Sequence, residues 1–220
     1  QQRTVRATVA TLEREELASP SVIVVGEVAA MDLTWFESMP LFGRTIVVTR
    51  AREQASELVA RLRALGAEVV ETPMIRVTDP SDCGTGLRLA VDELSHFEWL
   101  VLTSPNGARR FLDELASAGR DARALAGVSI ACIGPGTARV LAEAHLIADL
   151  VPDQFVAEAL LDAIPAPDGK GSGRVLLARA AVARDVLPDG LRSKGWEVDV
   201  VEAYGTEAEV LDEQAVAAAL

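Results

Sequence analysis

Trp99-Leu-Val-Leu-Thr-Ser-Pro-Asn-Gly107 is the stretch whose reading decides the fold. Apolar residues run into Thr103, Ser104, Pro105, Asn106 and Gly107, and a helical pattern follows from Ala108. A buried strand therefore ends where a helix begins. The turn offers hydroxyls, a carboxamide and main-chain N–H groups at a helix N-terminus, a combination suited to an anion. A plainer reading stands beside it, with Ser104 as an N-cap and proline at the first helical position. Repetition favours the anion, because the chain builds several such turns.

Outward from this turn, the chain alternates strands with helices of about ten residues. Strands are expected at Arg44–Arg50, Glu68–Ile75, Val128–Ile133, Leu146–Val151, Arg174–Arg179 and Glu197–Ala203. Helices are expected at Glu53–Leu65 (apolar stripe Leu58, Leu62, Leu65, stopped by Gly66), Leu87–Leu94, Ala108–Ala118, from Gly134-Pro-Gly-Thr137 through Ala144, Phe155–Ile164, Asp185–Lys194 and from Asp212 onward. Residues 165–173 read as a loop. This order implies an α/β fold with parallel sheets and helices on both faces.

The first forty residues differ. Residues 3–14 alternate weakly, as a strand or a helix. Ser21-Val-Ile-Val-Val-Gly26 reads as a short buried strand, and Trp35–Phe42 as an irregular apolar linker. Such a piece cannot bury its own strand and needs a partner. Both ends look cut: the chain opens on Gln-Gln and stops inside an apolar helical run at Leu220.

Composition narrows the function. Half of the 220 residues are hydrophobic and 25% are charged, enough for a real core. A net charge of −12 argues against a broad nucleic-acid surface. No apolar run approaches the ~18 residues of a membrane span, and residues 1–16 lack a signal-peptide core. Cys83 and Cys132 read as free thiols of a reducing, cytoplasmic compartment. His96 and His145 have no partners at metal-ligand spacing.

Residues 46–69 overlay residues 175–198 without a gap, at a shift of 129. Arg50 meets Arg179, Leu58 meets Leu187, Leu62 meets Leu191, Gly66 meets Gly195 and Glu68 meets Glu197. One unit used twice is the direct reading, although any two strand–helix–strand units share a period. The equivalent of Thr103-Ser104 would then fall near position 232, beyond this sequence. Two lobes with facing turns would enclose a cleft at the carboxyl ends of their strands.

Thr49-Arg50, Thr103–Gly107, Ile133-Gly-Pro-Gly-Thr137 and Val201-Glu-Ala-Tyr204 occur in this order and spacing. From about Leu41 onward the chain resembles uroporphyrinogen-III synthase. Ser19–Val28, Trp35-Phe36 and Pro40–Gly43 resemble the tail of a uroporphyrinogen-III C-methyltransferase fused upstream. The resemblance implies two α/β lobes joined by a two-stranded connector. Residues 1–40 would be the tail and linker, 41–76 with 204–220 an incomplete first lobe, and 77–203 the second. The connector crossings would lie near Ile75–Asp79 and Ala203–Glu207, and the family's C-terminal segment would be absent.

The resemblance also implies a substrate and a reaction. Hydroxymethylbilane, a linear tetrapyrrole with eight carboxylates, would lose its terminal hydroxyl and close with its last ring inverted, without cofactor or metal. Tyr204, the only tyrosine, would donate the proton; a phenol of pKa ~10 is protonated at neutral pH. It could equally be a half-buried strand aromatic. An acidic protein must bind such a polyanion locally, through Thr49, Arg50, Thr103, Ser104, Asn106, Gly107, Gly134, Gly136, Thr137 and Arg179. Gly134 and Gly136 would let the backbone approach the ligand. The arginines could instead form surface ion pairs, and Gly134-Pro-Gly136 a plain turn. A non-catalytic two-lobed sensor of an anion would use the same turns without a proton donor. A methyltransferase reading rests on residues 1–36 alone.

Overall fold

A computed structural model describes residues 5–31 and 34–209, with the side chains of 30 and 52–54 set aside. The helix expected from Asp212 lies outside the described residues, as does the part of the first lobe assigned to 210–220.

Two sheets organise the described residues. The smaller pairs β1 (Thr45–Val48) in parallel with β2 (Glu68–Glu71), linked by helix α1 (Arg52–Ala64). The larger contains β3 (Ile75–Thr78), β4 (Trp99–Leu102), β5 (Ser129–Cys132), β6 (Arg174–Ala180) and β7 (Glu197–Ala208), in the order β3-β7-β6-β4-β5. β7, β6, β4 and β5 are parallel; β3 pairs antiparallel with the far end of β7.

β4 is apolar throughout because both faces of its sheet are covered. Leu100 and Leu102 point to one side, with Ile130, Cys132, Leu176 and Ala178, and pack on α2 (Thr85–Asp92) and α3 (Pro105–Ser117). Val101 points to the other, with Ala131, Val175 and Leu177, and packs on α5 (Ala157–Ala163) and α6 (Val186–Ser193). Helix α4 (Pro135–Glu143) follows β5 and packs beside α3.

The duplicated pattern is visible as geometry. Thr45 pairs Glu68 in the small sheet, and Arg174 pairs Glu197 in the large one. Both pairs obey the same sequence shift. Each unit's helix ends at a glycine with positive φ, +89° at Gly66 and +101° at Gly195. Only glycine takes this conformation without steric cost.

Four expectations are corrected. Ser21–Gly26 is not a strand: Val22, Ile23, Val24 and Val25 are 60–90% exposed, because no described strand lies beside them. Within residues 5–14 the only regular element is a 3₁₀ turn at Leu12–Arg14; residues 3 and 4 lie outside the described residues. Glu68–Ile75 is two strands in different sheets, broken at residues 72–74, since β2 pairs with β1 and β3 with β7. Leu146–Val151 contributes a single bridge, Leu150 to Ala131.

The stripe on α1 is also displaced. Ala55 and Val59 are buried and Leu62 is half-buried, while Leu58 and Leu65 are exposed. Leu191→Ala in α6 is therefore expected to cost about 2–5 kcal/mol, as for a fully buried leucine. Leu58→Ala, at a 38% exposed site, should cost under about 1 kcal/mol. Urea unfolding monitored by circular dichroism compares the two.

Candidate functional site

The parallel strands of the large sheet end along one edge, and a cavity of about 300 Å³ opens there. Its wall takes Thr103 and Ser104 after β4, Ile133 after β5, Arg179 and Ala180 at the end of β6, and Tyr204 from β7. A crevice beyond the carboxyl ends of parallel strands is where open α/β sheets hold ligands. Phe155, Val156, Leu187 and Pro188 supply an apolar side.

Tyr204 reaches this wall through a register slip. Arg179 pairs Glu202, but the next residue, Ala180, pairs Tyr204. The irregularity adds a residue to β7 and re-aims the side chains beyond it. Tyr204 is 8% exposed and packs in the apolar cluster of the sheet, yet it also lines the cavity. Its hydroxyl makes no hydrogen bond among the described residues, which leaves it available to a ligand.

Ser104 caps α3, its Oγ accepting from the Gly107 N–H at 3.0 Å, with Pro105 at the first position. The N-cap reading therefore holds, and it consumes one of the N–H groups expected to meet an anion. In the second turn, Pro135 has no N–H, and the N–H groups of Thr137 and Ala138 donate to the Gly134 carbonyl at 3.1 Å. Among the described residues, Asn106 in the first turn and Gly136 in the second keep main-chain donors without an acceptor. Gly134 admits the protein's own Phe155, whose ring carbon would lie 3.0 Å from an added Cβ. The side chain of Thr137 is buried, and Asn106 lines a second cavity beside α3.

Arg179, with its side chain 15% exposed, donates to Asp185 Oδ1 at 2.7 Å and to the Arg184 carbonyl at 3.0 Å. Arg184 also lines the cavity and donates to Glu158 at 3.0 Å. Sequence reasoning missed Arg184, and no local spacing could reveal its pairing with Glu158 on α5. Thr49 and Arg50 are exposed after β1 and do not line this cavity. Of the two arginines aligned by the repeat, Arg179 lines this cavity and Arg50 does not. Cys132 is fully buried and its thiol is pushed up to about 12 by burial, so it is no nucleophile.

Known proteins share this sequence pattern and fold. The family model described as "Uroporphyrinogen-III synthase HemD" matches residues 56–220. The chain is 40% identical over 211 residues to the "Porphyrin biosynthesis protein HemD" of Ruminiclostridium josui, covering 93% of this chain and 42% of that protein. It is 36% identical over 166 residues to the uroporphyrinogen-III synthase of Synechococcus elongatus, covering 75% and 61%. A crystal structure of a mutant uroporphyrinogen III synthase from Thermus thermophilus superposes with a TM-score of 0.56 at 19% identity, over 76% of this chain and 64% of that one, which shows a shared fold. The chain spans about half the length of the curated relatives it matches.

The cavity rim has a titration signature. The Glu158 backbone N–H in the first turn of α5, and then the Arg184 guanidinium, hold the Glu158 carboxyl below its ordinary value. A depressed carboxyl contributes above its unfolded pKa and loses that contribution as pH falls through the folded one. NMR titration should place the Glu158 midpoint below the usual ~4.3 of a glutamate. Arg184→Gln should return it part of the way, the helix N–H remaining.

Proposed function

This chain belongs to the uroporphyrinogen-III synthase family, and we propose from that membership that its cavity serves the family reaction: closure of hydroxymethylbilane to uroporphyrinogen III with loss of water. The observation that carries the reading is the Tyr204 hydroxyl, unengaged on the wall of a cavity at the strands' carboxyl edge.

In this reading the Tyr204 Oη donates a proton to the terminal hydroxyl, which leaves as water. The resulting azafulvene carbon is attacked by the substituted carbon of the last ring, forming a spiro intermediate. That intermediate fragments and recloses with the ring inverted. The proton lost when the macrocycle closes restores the phenol, so the net change is one water released. The apolar side formed by Phe155, Val156 and Leu187 keeps the electrophile from bulk water. Arg179 and Arg184 offer guanidiniums to the substrate carboxylates at the rim. No cofactor or metal has a role in this sequence of steps.

The domain reading is part of the proposal. Residues 41–76 with 204–220 would form one lobe and 77–203 the other. The antiparallel pairing of Ile75–Thr78 with Gly205–Ala208 supports a connector between them. A cytoplasmic location and fusion to an upstream methyltransferase belong to it too. The 93% coverage against the Ruminiclostridium josui protein takes in much of residues 1–40, within a relative more than twice as long. Exposed Val22–Val25 suits a strand awaiting a sheet in such a neighbour.

The test supplies hydroxymethylbilane to the full chain and separates the type III and type I products. Type III product is expected, and formation of type I alone at the rate in buffer overturns the reading. Tyr204→Phe should slow turnover by about 10²–10⁴-fold without abolishing it, the usual worth of a general acid. Unchanged turnover in that variant removes the acid role.

A further inference from the structure

A second cavity, about 370 Å³, lies beside α3 against β3 and has no part in the chemistry above. Val77, Asn106, Arg109, Arg110 and Asp113 line it. Asn106 is only 8% exposed, and its carboxamide makes no hydrogen bond among the described residues. Its polar atoms are not sealed away, so they face the cavity. An amide with no protein partner on a cavity wall is open to a ligand that can hydrogen-bond it.

Of the three charges beside it, two show the same lack of partners. Arg110 is held by Asp79 at 2.9 Å. Arg109 and Asp113 stand four residues apart on α3, a spacing at which opposite charges pair on a helix. Neither makes an ion pair with the other or with any described residue. The cavity thus offers an amide donor, an unengaged guanidinium and an unengaged carboxylate over the apolar Val77. A bare anion would be repelled by Asp113. A ligand carrying a carboxylate and an N–H donor on one small ring satisfies every group.

We propose that Asn106, Arg109 and Asp113 form a subsite for one pyrrole ring of a carboxylate-bearing chain. Arg109 grips a side-chain carboxylate in two-pronged fashion. The Asn106 carboxamide donates to the same group, Asp113 accepts the ring N–H, and the ring rests on Val77. The assignment rests on the tetrapyrrole reading, because a linear four-ring substrate outruns a single cavity. Ser104 lines the first cavity and Asn106 the second, two residues apart on one turn. A chain of rings passing that turn meets both.

The test uses Arg109→Gln in the full chain, with Arg123→Gln, which loses an exposed pair to Asp121, as control. The probe is a monopyrrole bearing acetate and propionate side chains, followed through the NMR shift of the Asn106 side-chain amide. Arg109→Gln should raise both the probe Kd and the KM for hydroxymethylbilane about tenfold, with kcat within about twofold, as for one lost charge-assisted contact. The control should move neither. A probe that leaves the Asn106 amide unshifted overturns the subsite, as does an Arg109→Gln Kd within about twofold of wild type. If the wild type cyclises nothing while the probe still depends on Arg109, the proposed function falls and the subsite stands.

Discussion

A parallel sheet covered on both faces has only its strand ends left for chemistry, and this constraint sets the rest of the structure. β4 is paired on both sides, and its side chains are spent alternately on two helical layers. Polar groups at its middle would be buried without partners. They collect instead at Thr103 and Ser104, where the strand gives way to α3. The same holds after β5 and β6, so Ile133 and Arg179 arrive at one edge from separate strands. β7 continues past that edge to pair with β3, and its register slip turns Tyr204 toward the opening as it leaves. Proximity of the site residues is thus a by-product of strand parallelism.

The repeated unit shows how one local pattern acquires different worth in different surroundings. β1-α1-β2 and β6-α6-β7 share their pairing register and their helix-ending glycines. Leu191 is fully buried, whereas its counterpart Leu62 is half-buried. Among the described residues, the second unit sits in a five-stranded sheet against α5, and the first in a sheet of two strands. Arg179 is fixed by Asp185 and placed on a cavity; Arg50 is exposed after β1. Of the two aligned arginines, Arg179 is the one placed on the described cavity.

This difference explains what could be read in the sequence. Period and punctuation located the helices and most strands, because apolar spacing and glycine stops are local. They failed where the answer depended on a partner. Val22–Val25 has a buried strand's composition without a described neighbour, and Glu68–Ile75 hides a change of sheet inside one apolar run. At the cavity, Thr103, Ser104, Arg179 and Tyr204 were legible from strand ends and turn chemistry. Arg184 was not, since its place depends on Glu158 across the sheet's helical layer. Nor was the use of Gly134, whose missing side chain makes room for Phe155 rather than for a ligand.

The proposed function sets an electrostatic difficulty, because it asks a chain of net charge −12 to hold a many-carboxylate ligand. Main-chain N–H groups are fewer than the two turns suggest, because both helices start with proline and the Ser104 and Gly134 oxygens take several of the rest. Arg179 and Arg184 are present at the cavity, but each already faces a carboxylate, Asp185 or Glu158. Those internal carboxylates keep the guanidiniums oriented and solvated when no ligand is bound. The Arg184–Glu158 pair is exposed on both sides, and such pairs are worth about 0–1 kcal/mol, so a ligand carboxylate can displace Glu158 from Arg184 at small cost. Under the proposed function, binding would be an exchange of one carboxylate for another, with long-range repulsion offset at short range by groups already arranged for that shape.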